Sequence, residues 1–275
     1  MTVQQGFHWI KKGIIAIATI IANPKKLYFV LNNEDHFRSR VSNQFPGFQN
    51  GLPQISLSQL TPNFDQSITH YSFLGGTSSP IDIALLKTLA LRYEQCTYFE
   101  IGTWRGESAL NLMGVTSKII SLNLPKEELN KRGTPVNEVD VQDFYLSEND
   151  QVIKLKTDSS TFDYQSIAEK IDLAFIDGDH HYEAVKLDSA NVIQYLIDEN
   201  SIVVWHDYTR NYSTIWWEVL LGILKGVPHH HHKNLYHVRN TNCAIMLPFE
   251  LTPLNEDNPF KPLTQFEVHI KSSNS

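Results

Sequence analysis

The stretch Tyr98-Phe99-Glu100-Ile101-Gly102-Thr103-Trp104-Arg105-Gly106-Glu107-Ser108 constrains the fold more than any other. Cys96 to Ile101 is rich in aromatic and aliphatic side chains, as a central parallel strand requires. Gly102 permits a sharp turn, and Gly106 lets the next helix pack closely. Ser108 to Met113 then carries helical apolar spacing. A strand-turn-helix of this kind gathers backbone N–H groups and a ligand at the carboxyl edge of a sheet.

The residues of the turn discriminate among ligands. A dinucleotide loop needs a middle glycine so that the backbone can approach the pyrophosphate, and bulky Trp104 stands there instead. A phosphate-gripping P-loop ends in Gly-Lys-Ser/Thr, whereas Gly106 is followed by Glu107, whose carboxylate repels phosphate. A ligand with a cationic centre, an amino acid tail and no phosphate fits better, and S-adenosylmethionine is such a ligand. The bland alternative is a well-packed turn between strand and helix.

Two further apolar runs end in polar clusters. Ile171 to Ile176 leads into Asp177-Gly178-Asp179-His180-His181-Tyr182-Glu183, and Ser201 to Trp205 leads into His206-Asp207-Tyr208. In a parallel sheet both clusters share the carboxyl edge with the Gly102 loop. Strands alternating with helices predict an α/β architecture with the sheet between two helical layers.

With these three segments in order, the sequence resembles the class I S-adenosylmethionine-dependent methyltransferases. The similarity is greatest to the branch with an FIDGDHxYE strand end and a later HDY, and the glycine loop resembles that of the catechol O-methyltransferase group. The resemblance covers residues 80–248. It implies a Rossmann-like three-layer sandwich, with a mostly parallel seven-stranded sheet and one antiparallel strand from a C-terminal hairpin.

The resemblance also assigns roles. Glu100 holds the amino group of the methionine tail; Gly102, Thr103 and Gly106 form the cofactor loop; Ser108 lies near the tail carboxylate. Asn123 stands where most relatives carry an acid for the ribose hydroxyls, so ribose contact through an amide is expected. Asp158 and Ser159 match the position that reads the adenine edge, although Asp158 could equally cap a helix over 161–170. Asp177, on the cofactor side, joins His206 and Asp207 where metal-dependent relatives place ligands for Mg or Mn; His favours the softer metals. Without metal, His180 or His206 is the candidate general base. The competing reading pairs Asp177 with His206 by a hydrogen bond alone. The implied activity is methylation of a small-molecule or sugar hydroxyl. Its rivals are N-methylation of a small amine, or a cofactor-binding but inactive regulatory or assembly subunit.

Composition narrows the partners. The 275 residues carry a net charge of −7 and no basic stripe, which argues against a nucleic-acid substrate. Cys96 and Cys243 sit in apolar runs and read as small buried hydrophobes in a reducing, cytoplasmic setting, where the methyl donor is available. The N-terminal run Gly13 to Ala22, flanked by Lys11, Lys12, Lys25 and Lys26, is shorter than the about 20 apolar residues of a membrane span. It has the length of a signal-peptide core, but export would part the enzyme from its donor. The run predicts a helix on a membrane surface or against a second copy, with an ordinary core helix as the alternative.

Three regions are expected: an N-terminal helix and irregular cap (1–79), the cofactor-binding domain (80–248) and a surface tail (249–275). Helices are predicted over 81–93, 106–116, 162–170, 183–198 and 213–225, and strands over 97–101, 118–123, 152–156, 171–177, 201–205, 235–239 and 243–247. Residues 124–150 form a polar insertion suited to shaping a pocket. The run His229 to His232 is expected to be a solvated loop.

Overall fold

The computed structural model describes residues 3–24, 34–146, 151–256, 258 and 260–272, with the backbone alone for 3–10. In chain order the elements begin with α1 (Val3–Ala22), α2 (Glu34–Gln44), β1 (Gln54–Ile55), α3 (Leu57–Leu60) and α4 (Pro80–Ala90). The central run is β2 (Thr97–Ile101), α5 (Glu107–Leu112), β3 (Lys118–Asn123), α6 (Lys126–Arg132), α7 (Val136–Asp140) and β4 (Val152–Lys156). It continues through β5 (Leu173–Ile176), α8 (Tyr182–Asn191), β6 (Ile202–Trp205), β7 (Thr209–Arg210) and β8 (Thr214–Ile215). The last elements are α9 (Trp217–Gly226), β9 (Leu235–Val238) and β10 (Ala244–Met246).

The main sheet has the order β1-β9-β10-β6-β5-β2-β3-β4. Strands β6, β5, β2, β3 and β4 are mutually parallel, and β10 runs antiparallel to both β6 and β9. This is the expected Rossmann-like sandwich, with the antiparallel strand supplied by the C-terminal hairpin. Strand order reverses between β2 and β5, which makes that gap the switch point where a doubly wound sheet opens a crevice.

Alternation along the buried strands feeds two apolar layers. Phe99, Ile101, Ala174, Ile176, Val203 and Trp205 face Phe37 and Val41 of α2, Val185 of α8 and the Val219–Leu224 stretch of α9. Tyr98, Leu173, Phe175, Ile202 and Val204 face Leu85, Leu86 and Leu89 of α4, with Ala109 and Leu112 of α5. Each such aliphatic or aromatic side chain contributes about 1.5–3 kcal/mol on full burial. The two layers therefore fix the strand ends that build the site. Both cysteines are free and buried.

Several expectations are corrected. The sheet has eight strands, because Gln54–Ile55 adds a parallel edge to β9; His237 N donates to Pro53 O at 2.9 Å and Arg239 N to Ile55 O at 2.8 Å. Two residues are too few to show alternation in a sequence. Residues 162–170 form only a 3-10 turn, Tyr164–Ser166, capped by Asp163. The predicted 183–198 helix passes into a π-helical turn at Val192–Leu196. The helix expected from Ser213 starts at Trp217, because Thr209–Arg210 and Thr214–Ile215 pair as a small ribbon first. His232 is buried, its Nε2 3.0 Å from Val227 O and its ring against Phe45 and Phe48, so the histidine run is not simply solvated. Lys25 and Lys26, expected to flank the N-terminal apolar run, lie outside the described residues.

Helix α1 leaves Ile14, Ile15, Ile17 and Ile21 between 55% and 75% exposed. Among the described residues, no helix is long and apolar enough to cross a membrane.

Burial has a measurable consequence at Asp188 of α8, whose carboxyl is pushed up to about 7 by desolvation. The native state therefore holds this proton well above the unfolded carboxylate range, and stability falls as pH rises through that interval. Asp188→Asn should be near neutral at pH 4 and should gain roughly 4 kcal/mol relative to the parent by pH 8. Chemical denaturation at both pH values reads the difference; a constant offset would show that Asp188 is charged in the native state throughout.

Candidate active site

Strand register places the site residues. Ile101 pairs with Ile176, and Ile176 with Trp205, so the next residues along these strands, Gly102, Asp177 and His206, lie side by side at the carboxyl edge. The ladder reaches that edge: Asp177 N donates to Ile101 O at 2.9 Å and His206 N to Ile176 O at 3.0 Å. Gly102 adopts φ +89°, and a β-carbon there would lie 2.1 Å from Asp177 O, so the close approach of β2 and β5 admits glycine alone.

A cavity of about 450 Å³ opens at this switch point, within the size range of small-molecule sites. The 102–105 and 107–108 residues form one wall; Asn123, Leu124, Leu129, Gln142, Thr157 and Ser159 form another; Asp177, Gly178, His180, His206 and Asp207 complete the strand-end side. Gly76, Thr77 and Ser78 also contribute to the lining. Their segment is tied down by Arg105, which donates to Gly75 O at 3.0 Å and Leu74 O at 3.3 Å, and by Glu107, which accepts from Ser72 N and Oγ at 2.9 and 2.6 Å. Arg105 and Glu107 pair at 3.1 Å, both buried. Burial pushes the Glu107 carboxyl up, but its hydrogen bonds and Arg105 outweigh that and hold it below the ordinary range. Trp104 and Asp207 both line the cavity with φ of 51° and 54°, a left-handed conformation uncommon outside glycine.

At the strand-end side, His206 is enclosed by three carboxylates. Its Nδ1 lies 3.1 Å from Asp177 Oδ1 and 3.4 Å from Asp207 Oδ2, and its Nε2 lies 3.2 Å from Asp82 Oδ2. Asp207 Oδ2 also meets His180 Nε2 at 3.1 Å, and Ser78 Oγ donates to Asp177 Oδ2 at 3.0 Å. Burial alone would depress the His206 imidazole, but the carboxylates around it drive its pKa well above the ordinary value. In return, Asp82 and Asp207 are held low despite burial, chiefly by His206. Ligand atoms of Asp177, His206 and Asp207 all lie within 4.8 Å of one another, a spacing that can hold a metal ion.

The structure gathers most of the sequence-predicted residues and leaves three outside the cavity lining. Gly102, Thr103, Ser108, Asn123, Ser159, Asp177, His180, His206 and Asp207 line it. Glu100 does not: it is buried beneath, accepts from Ser108 Oγ at 2.5 Å, and is pushed up to about 8 by burial, so a neutral carboxyl rather than a charged tail-holder occupies that place. Gly106 caps α5 with φ +94° and gives room to Leu146, serving packing rather than ligand contact. Asp158 turns to Arg132, at 2.5 Å, and to Ser160 N, at 2.9 Å. Asn123 Nδ2 donates to Asp143 Oδ1 at 3.0 Å, leaving its Oδ1 as the acceptor, with one contact from Trp104 N at 3.4 Å.

Sequence reasoning missed Asp82 and Gln142 and read Trp104 only as an obstacle. Trp104 Nε1, Gln142 Oε1 and His206 Nδ1 are buried, belong to residues lining the cavity, and have no hydrogen-bond partner. Buried polar atoms are ordinarily satisfied, so these three mark where the fold beside the cavity leaves a donor, an acceptor and an imidazole nitrogen unpaired. Gln142 lies in the insertion, and its Nε2 is already fixed on Leu124 O at 2.8 Å.

Residues 99–208, less than half of the chain, match the family model described as a methyltransferase domain. No curated protein matches the sequence. Among solved structures, SAH-bound PaMTH1, a methyltransferase of Podospora anserina, is 17% identical with TM-score 0.35, over 48% of this chain and 54% of that one. SAM-bound CalS10, an amino pentose methyltransferase of Micromonospora echinaspora, is 15% identical with TM-score 0.33, over 48% and 51%. Cofactor-bound Rv0187 from MTB is 16% identical with TM-score 0.44, over 65% and 84%. The chain spans about half the length of the first two.

The buried Arg105–Glu107 pair makes the wall testable. Arg105→Ala leaves a buried carboxylate without its cation, a change that costs about 3–5 kcal/mol. It should lower the melting temperature and expose residues 72–76 to limited proteolysis. Unchanged cleavage there, with the protein still folded, would show that Arg105 does not hold the segment.

Proposed function

We propose that the protein transfers a methyl group from S-adenosylmethionine to a hydroxyl of a small molecule or sugar, in the manner of the catechol O-methyltransferase group. The observation that carries this reading is one cavity joining the Gly102 loop to an acid–imidazole cluster, within a segment that matches a methyltransferase domain. The carboxylate of Asp177 favours a sulfonium cation over a phosphate. Asn123 Oδ1 offers an acceptor to a nucleoside's amino or hydroxyl groups.

In the reaction, the acceptor oxygen attacks the methyl carbon, the carbon–sulfur bond breaks, and sulfur keeps the electron pair. The cavity's main contribution is alignment of oxygen, methyl and sulfur. The acceptor proton goes to His180, whose Nε2 is oriented by Asp207. His206 is unsuited to that task. As an imidazolium it has no free lone pair, and as a ligand its Nδ1 is occupied. The residues present fit a divalent cation: Nδ1 of His206 faces two carboxylates outside hydrogen-bond geometry, and the three ligand atoms lie within 4.8 Å of one another. Asp177, His206 and Asp207 would hold it, and such an ion lowers the pKa of a bound hydroxyl.

Calorimetric titration should show binding of S-adenosylmethionine and S-adenosylhomocysteine and none of NAD. Binding of NAD alone would overturn the assignment. Asp207→Ala should abolish turnover in an acceptor screen and leave donor affinity within about threefold, since it serves the acceptor step. A comparable loss of donor binding would place Asp207 on the donor instead.

The exposed isoleucines of α1, with Lys11 and Lys12 beside them, support peripheral contact with an anionic membrane surface. Flotation with phosphatidylserine vesicles should carry the full chain upward and leave a chain starting at Leu27 behind. Equal, negligible flotation of both would leave a second copy of the chain as the occupant.

A further inference from the structure

Asp82 is the one carboxylate of the His206 cluster that lies outside the cavity lining, and it is fully buried. It sits at the third position of α4, where it completes a capping box with Ser79. Its Oδ2 accepts from Ser79 N at 3.0 Å and Ser79 Oγ at 2.6 Å, and its Oδ1 accepts from Asn242 N at 2.9 Å. Capping explains these bonds but not the burial. A capping carboxylate works at a wet helix end, and enclosing one is costly unless a cation or strong donors meet it. Cys243 Sγ adds a weak contact to Oδ1 at 3.7 Å, and the contact left to balance the charge is His206 Nε2, 3.2 Å from Oδ2. On the opposite side of the ring, Nδ1 faces Asp177 at 3.1 Å and Asp207 at 3.4 Å, within ion-pair reach but outside hydrogen-bond geometry, while the histidine side chain is only 8% exposed.

We propose that Asp82 is a positioning residue for a metal site: by accepting the Nε2 proton of His206 it fixes the tautomer and ring angle that aim the Nδ1 lone pair at a divalent transition ion shared with Asp177 and Asp207. This rests on the metal reading given above. A histidine ligand almost always donates its other N–H to a carboxylate, carbonyl or water, and loss of that partner typically weakens metal affinity 10–100-fold. One imidazole with two carboxylates suits Mn²⁺, Fe²⁺ or Zn²⁺ better than Mg²⁺. Asp82 thereby links three parts of the chain to the ion: α4, the end of β6 and the Asn242 turn of the C-terminal hairpin.

The test is direct binding of Mn²⁺ to the full chain, read by electron paramagnetic resonance of the free ion. The wild type should bind, and Asp82→Asn should bind 10–100-fold more weakly. Ser79→Ala breaks the same capping box without touching His206 and should keep its affinity within twofold. Equal affinity of wild type and a folded Asp82→Asn would overturn the role of Asp82 alone. Absence of binding by the wild type would overturn the metal reading with it. A measurement free of any variant is the ¹⁵N spectrum of the histidines in Zn²⁺-loaded wild type. It should show His206 protonated at Nε2 with Nδ1 on the metal, and ligation through Nε2 would overturn the proposal even if Asp82→Asn does not fold.

Discussion

The approach of β2 to β5 at Gly102 governs what the rest of the site can be. With φ +89° and Asp177 O only 2.1 Å from where a β-carbon would stand, the first strand can meet the fourth in space only through glycine. That contact sets the height of Asp177. The parallel register then carries the setting across to His206, because Ile176 and Trp205 are paired. A backbone shift at Gly102 would therefore move the acid–imidazole cluster as well as the loop. The chemistry at the strand ends and the donor loop are two readings of one set of strand positions.

Electrostatics then limits which cluster such an edge can hold. Three carboxylates around one imidazole leave an excess of negative charge in a largely enclosed space, which is unfavourable unless a cation joins them. Protonation of His206 supplies part of that charge, and a divalent ion on Nδ1 would take the place of its proton. Asp207 also carries an unusual backbone. Its φ of 54° turns the carboxylate toward both His206 and His180, at a conformational cost that ordinary loops avoid.

The parts of this architecture legible in the sequence were those encoded locally. Strands Thr97–Ile101, Lys118–Asn123 and Val152–Lys156 have the bounds read from their apolar runs, since polar or glycine-bearing turns flank each. The cluster Asp177, His180, His206 and Asp207 was also legible, because each member follows directly on a buried strand. Features made by distant pairing were not. Asp82 lies 124 residues from its partner His206, in a helix that otherwise reads as plain core. The pairing of Gln54–Ile55 depends on β9, nearly two hundred residues later. Residues 162–170 differ for another reason: the rings of Phe162 and Tyr164 pack against the core from a 3-10 turn, not from a helix.

Glu100 marks where resemblance and physics part. By position it should be a charged partner for an amino group. In the fold its side chain is enclosed, Ser108 occupies one oxygen, and the other has no partner. A carboxyl pushed up to about 8 is mostly protonated at neutral pH, and a neutral acid can donate as well as accept. The charge that would meet a cationic ligand lies along the sheet edge at Asp177. Ser108 accordingly connects the two regimes: it lines the cavity on one side and satisfies the buried acid on the other. A ligand that draws the Ser108 hydroxyl toward itself would leave Glu100 unsatisfied. The energetic response of this site to its ligand thus extends one layer below the surface that the ligand touches.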